Sequence, residues 1–84
     1  MSKDDALRQQ VHKVRHSKGA GRIVALEDLE RIVQRLRDEQ LLALTAEPGG
    51  QTALARELGI SRQAVSMRVQ HARDRITHRQ RDAR

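Results

Sequence analysis

The 84-residue chain contains no cysteine, no phenylalanine, tyrosine or tryptophan, and a single proline, Pro48. Without cysteine there is no disulfide, and any zinc site that needs a thiolate is excluded. Without aromatic rings the chain lacks the stacking platforms on which single-strand and RNA-binding modules hold bases. Its core must be built from Leu, Val, Ile and Ala. A chain of this length makes one domain at most, and such a domain buries only about 60% of its unfolded surface, so self-association is the expected supplement to stability. No apolar run approaches the roughly 18 residues of a membrane span. The opening MSKDDALRQQ has no apolar centre of the signal-peptide kind, and a cytoplasmic location is expected. Serines, histidines and carboxylates show no triad spacing, so neither an enzyme nor a cofactor is expected.

The net charge of +6 is unevenly placed. Residues 1–24 carry +4, residues 25–50 carry −3, and residues 51–84 carry +5. A basic second half beside an acidic middle suggests one face for a polyanion and another for protein contact. With aromatic stacking excluded, duplex DNA is the favoured polyanion.

Residues 4–16, DDALRQQVHKVRH, put Leu7, Val11 and Val14 on one helical face, with acid at the start and base at the end as the helix dipole favours. His12 and His16 stand four apart, but no further ligand is placed to complete a metal site, and none is expected. SKGAG (17–21) reads as a turn; it has neither the preceding strand nor the spacing of a phosphate-binding loop. RIVA (22–25) is either a short extended segment or the approach to the next helix, and Ile23 and Val24 need burial. From Leu26 to Ala46 the pattern is helical, with Leu26, Leu29, Val33 and Leu36 in a coiled-coil-like seam. Past Gln40 the phase shifts, so the helix either turns a new face or breaks near Asp38. The seam is a candidate dimer contact or a packing face for the first helix, whereas Leu41 and Leu44 are expected to close a core with Leu54, Leu58 and Val65. EPGG (47–50) is the clearest stop signal.

Gln51 to Gln70, QTALARELGISRQAVSMRVQ, reads as two short helices hinged on Gly59. Leu54, Ala55 and Leu58 share a face of the first, Val65 and Val69 a face of the second, and Ile60 plugs the angle. Gly59 suits a left-handed helix end, and Ser61 suits an N-cap. Val65, Val69, Ala72 and Ile76 continue the buried edge for three turns. Thr77 to Arg84 has no apolar stripe and is expected to fray as a basic tail.

With Ala55 fifth, Gly59 ninth and Val65 fifteenth, this stretch resembles the helix-turn-helix of DNA-binding proteins. Arg68 stands eighteenth, where many repressors carry an aliphatic residue. That variant is more similar to the DNA-binding fourth region of bacterial sigma factors and to small phage- and plasmid-type regulators. The resemblance spans at most Leu36 to Ile76. It implies an all-α fold: a trihelical core in residues 25–76 (motif 51–70), preceded by a basic helix and turn (1–24) and followed by a basic tail (77–84). It also implies a recognition helix over 61–70 lying in the major groove, with Arg62, Gln63, Ser66, Met67 and Gln70 facing base edges. Thr52, Arg56, Ser61, Arg68, Arg73 and Arg75 would hold phosphates. The function implied is sequence-specific regulation of transcription, with a homodimer placing two recognition helices about 34 Å apart on a near-palindromic site. A sigma-like module whose acidic helix, Glu27 to Glu39, docks on RNA polymerase is the alternative from another class, and an architectural DNA-binding protein is a third.

Overall fold

The computed structural model describes residues 2–82, which form four α-helices and, among those residues, no strand. They are α1 (Lys3–Arg15), α2 (Gly19–Ala46), α3 (Gly50–Leu58) and α4 (Arg62–Asp82). The all-α expectation is met. Contacts divide the chain into two compact units, Met1–Arg37 and Asp38–Arg84, with the division inside α2.

In the first unit, α1 opens with a capping box. The Ser2 hydroxyl accepts from the Asp5 N–H at 3.2 Å, and the Asp5 carboxylate accepts from the Ser2 N–H at 3.4 Å. The helix closes with the His16 N–H donating to the His12 carbonyl at 3.1 Å, and the Ser17 hydroxyl donates to the Lys13 carbonyl. Among the described residues of this unit, Gln10, Val14 and Ala25 are buried. The Gln10 side-chain amide donates to the Ala25 carbonyl at 2.9 Å, which satisfies a polar group that burial would otherwise penalise. That bond fixes the start of α2 against α1. Consequently RIVA is helical, and α2 begins seven residues before the expected Leu26. A glycine inside a helix costs about 1 kcal/mol, and Gly21 is carried there because Ala25 and Gln10 anchor the turn that follows.

The second unit starts with the last turns of α2. The helix does not break at Asp38; it turns a new face, formed by Asp38, Leu41, Leu42 and Thr45 at the i, i+3, i+4, i+7 spacing of a stripe. Leu41 and Leu42 pack against a cluster of Leu54, Ala55, Val65 and Val69. Leu44, expected in that core, lies about 110° round the helix from the stripe and is exposed. Past Ala46 the chain folds back tightly. The Gly50 N–H donates to the Glu47 carbonyl at 2.9 Å, and a Cβ at Gly50 would run into the Leu44 carbonyl oxygen and stand 3.1 Å from the Thr45 Cα. Only glycine permits that approach.

α3 ends in a Schellman turn. Gly59 adopts φ 68°, its N–H donates to the Arg56 carbonyl at 3.3 Å, and the Ile60 N–H reaches back to the Ala55 carbonyl at 3.0 Å. This bond swings Ile60 over the cluster. Leu58, expected in the core, is therefore displaced from it and is 50% exposed. α4 then buries Val65, Val69 and Ala72 along one edge, with Ile76 half-buried. It continues to Asp82, so residues 77–82 do not fray as expected. Their Gln and Arg residues are good helix formers, and Arg79 and Arg81 suit the negative end of the dipole. Ala83 and Arg84, the end of the expected tail, lie outside the described residues.

Candidate nucleic-acid interface

Because Val65, Val69 and Ala72 recur at four and three residues, α4 has one buried edge and one outward face. Ser61 sets where that face begins. Its hydroxyl accepts from the Ala64 N–H at 3.0 Å and its carbonyl from the Val65 N–H at 3.2 Å, the arrangement of an N-cap. Gln63, Ser66, Met67 and Gln70 are exposed on the side away from the cluster, whereas Arg62, also exposed, stands seven residues before Val69 and so in line with the buried edge at the start of the helix. Four of the five residues expected at base edges thus share one accessible surface, and Arg62 stands apart from them in the first turn. The Gln70 amide donates to Asp74 Oδ1 at 3.1 Å, so it lies down the helix and must swing out to meet any ligand.

Thr52, Arg56, Arg68 and Arg73, expected at phosphates, are exposed. Thr52 on α3 and Arg62 on α4 line one shallow depression of about 230 Å³ with Thr45, Glu47, Gly49, Gly50 and Gln51. The starts of α3 and α4 therefore meet at one place. Gly49 caps α3 without a side chain, so the first-turn amides of α3 have no side-chain acceptor. Ser61, also expected at a phosphate, has its oxygen engaged as the cap, although a hydroxyl keeps its proton to donate.

Arg75 has a different partner from the one expected. Its Nε donates to Asp38 Oδ2 at 2.8 Å and its Nη2 to Asp38 Oδ1 at 2.7 Å. The Asp38 carboxylate is 1% exposed and the Arg75 side chain 38%. Hydrogen bonding to Asp38 raises the guanidinium pKa above its ordinary value; desolvation works against this, and the charge of Asp38 adds to it. The fork of Arg75 matches the carboxylate in a bidentate pair, which commits its Nε–Nη2 edge to Asp38. Asp38 is the positioning residue that the sequence did not point to. Its signal was the stripe 38, 41, 42, 45, which a charged first member disguises.

Electrostatically, α4 carries six arginines against two aspartates. Arg62 stands in its first turn, which contains no acid, so a positive side chain faces the positive end of the helix dipole. In α1, the His12 and His16 rings lie 4.2 Å apart, tilted by 45°, and no group of three or more metal-ligating side chains occurs among the described residues. No helix among those residues is long and apolar enough to cross a membrane. Comparison of the chain with protein-family models, with curated proteins and with solved structures finds no match.

Proposed function

We propose that the chain is a sequence-specific double-stranded DNA-binding regulator of transcription, acting as two copies on a near-palindromic site, with α4 entered into the major groove. The observation that carries this reading is the α3–turn–α4 geometry. A Schellman turn at Gly59 and the Ser61 cap leave Gln63, Ser66, Met67 and Gln70 together on the exposed face of one helix, with Arg62 exposed in its first turn. Arg and Gln suit the paired acceptors and donors of guanine and adenine edges, Ser bonds either kind of edge, and Met covers a thymine methyl. Arg62 works against its own helix dipole, a local cost that an incoming polyanion removes. Thr52, Arg56, Arg68 and Arg73 hold the flanking phosphates and fix register. Arg75 orients α4 through Asp38 and is left out of the phosphate set.

The test is selection of bound duplexes from a randomised pool at near-physiological salt. Enrichment of an inverted repeat is expected; binding without enrichment would make the protein architectural, and no binding would turn the search to protein partners such as RNA polymerase. On the enriched site, Arg62→Ala should cost about 1–3 kcal/mol and relax preference at one base pair. Arg73→Ala should weaken every duplex alike and lower the salt dependence by about one counterion. Equal effects of the two substitutions on enriched and random duplexes would remove the assignment of roles.

A further inference from the structure

We infer that the side of α1 carrying Arg8, His12 and Arg15 is a second contact for duplex DNA, one that holds the sugar-phosphate backbone and reads no bases. Between Asp5 and Glu27 the chain has no acidic residue, against five arginines and lysines, Arg8, Lys13, Arg15, Lys18 and Arg22. Taking 100° per residue from the buried Val14, Arg15, Arg8 and His12 stand about 100°, 120° and 160° round the helix, a stripe at the i, i+4, i+7 spacing. Lys13 stands about 260° round, on the other side. All four residues are exposed. Arg8, His12 and Arg15 line one open depression of about 400 Å³ together with Leu7 and Val11. Among the described residues Arg8 and Arg15 form no ion pair. Asp4, one turn before Arg8, complements the positive end of the helix dipole.

Two guanidinium groups with no carboxylate to pair with, and an imidazole between them, fit an anion. The guanidinium fork matches phosphate oxygens in pairs, and a neutral imidazole still offers one N–H. The aliphatic atoms of Leu7 and Val11 between the cations suit the apolar face of a deoxyribose, and backbone contacts go to phosphate and sugar together. Val11, 38% exposed, is the one large apolar side chain exposed on the described part of α1. That is too little for the apolar centre of a protein interface or for insertion into a lipid surface. The stripe is also held ready. The Gln10 bond to the Ala25 carbonyl and the Ser17 N–H bond to the Val14 carbonyl, at 3.3 Å, fix the end of α1, so little ordering remains to be done on binding. Each phosphate met releases counterions whatever the sequence, so the stripe raises affinity for all duplexes alike. The inference rests on the duplex-binding part of the function proposed above and not on the base preference of α4.

The experiment measures binding of the full chain to a random duplex and to polyglutamate between about 50 and 200 mM salt, the range over which backbone contacts are lost. The proteins are the wild type, the double variant Arg8→Gln with Arg15→Gln, and Lys13→Gln as a control that removes a charge from the other side of the same helix. Gln keeps the helix propensity, and circular dichroism verifies that each variant is folded. With a slope of about −0.9 per phosphate, the double variant should lose about tenfold less affinity than the wild type over that range, and Lys13→Gln should follow the wild type. A double variant with the wild-type slope overturns the inference, as does a Lys13→Gln slope that changes as much per charge removed. Polyglutamate bound more tightly than the duplex, and less tightly by the double variant, assigns the stripe to an acidic protein and overturns it too. Duplex selection with the same proteins separates this from the sequence-specific reading. A wild type that enriches no sequence, with the slope lowered in the double variant, defeats that reading alone. A wild type that enriches a site, with the slope unmoved in the double variant, defeats this inference alone.

Discussion

Removing Arg75 should destabilise the fold, and the size of the effect follows from the exposure of the two partners. Asp38 is 1% exposed, so its carboxylate keeps almost no water when the guanidinium is deleted. Breaking a fully buried ion pair by removing one member costs about 3–5 kcal/mol. Arg75 is 38% exposed, which allows water into the vacated space and screens the pair. We therefore expect Arg75→Ala to cost about 2 kcal/mol, which for a domain of this size lowers Tm by roughly 8–16 °C. Urea unfolding followed by circular dichroism gives the free energy, and a thermal scan gives Tm. Arg73→Ala, two residues earlier and exposed, serves as the control and should change stability by less than about 0.5 kcal/mol. If Arg75 were instead a phosphate ligand, its loss would weaken DNA binding and leave the melting curve in place. An Arg75→Ala protein that melts with the wild type would refute the positioning role. Asp38→Leu combined with Arg75→Met should recover most of the lost stability, since a well-packed apolar pair commonly replaces a buried ion pair at little cost.

Gly50→Ala should destabilise more than Gly59→Ala, because a Cβ at Gly50 meets the backbone of Leu44 and Thr45 whereas at Gly59 it meets nothing within 4 Å. Gly59→Ala then suffers only the left-handed backbone penalty of about 1–2 kcal/mol, and Gly59→Asn less; chemical denaturation of the three variants decides the order. Val65→Ala, at a fully buried site, should lose about 2 kcal/mol, but Leu58→Ala, half-exposed, less than about 1. Equal losses would mean that Leu58 belongs to the core after all. Ser61→Ala should cost about 1 kcal/mol through the lost Ala64 cap, measured by the same unfolding curves, and Ser61→Asp should retain the stability.

The parts of the fold legible in the sequence are those decided within a few residues. Gly59, Ser61 and the Val65–Val69 edge act through backbone conformation, one capping bond and helical period, all of which are local. The start of α2 was not legible, because it depends on the Gln10 amide reaching a carbonyl fifteen residues away. Leu58 and Ile60 show the same limit at shorter range. Both are aliphatic and both fall near the cluster by periodicity; the bond from the Ile60 N–H to Ala55 decides which of them covers it. Residues 77–82 differ for the opposite reason, since absence of an apolar stripe argues against packing but not against helix where Arg79, Gln80 and Arg81 are good helix formers.

The candidate site divides along similar lines. Exposure of Gln63, Ser66, Met67 and Gln70 follows from the position of Val65, Val69 and Ala72 on the same helix, so the period alone places them; Arg62, which the period puts in line with Val69, is exposed at the start of the helix instead. Arg68, Arg73 and Arg75 are indistinguishable by composition, and what separates them is a carboxylate thirty-seven residues before Arg75. A charged residue at the head of an otherwise apolar stripe looks like an interruption, yet here Asp38 is the most deeply buried polar group and Leu41, Leu42 and Thr45 follow it in phase. A buried carboxylate is tolerable only where a donor is fixed opposite it. With no aromatic residue to fill space, the Asp38–Arg75 fork therefore sets the rotation of α4 about its own axis more sharply than Val65, Val69 and Ala72 can, because aliphatic contacts are non-directional and two parallel N–H···O bonds are not.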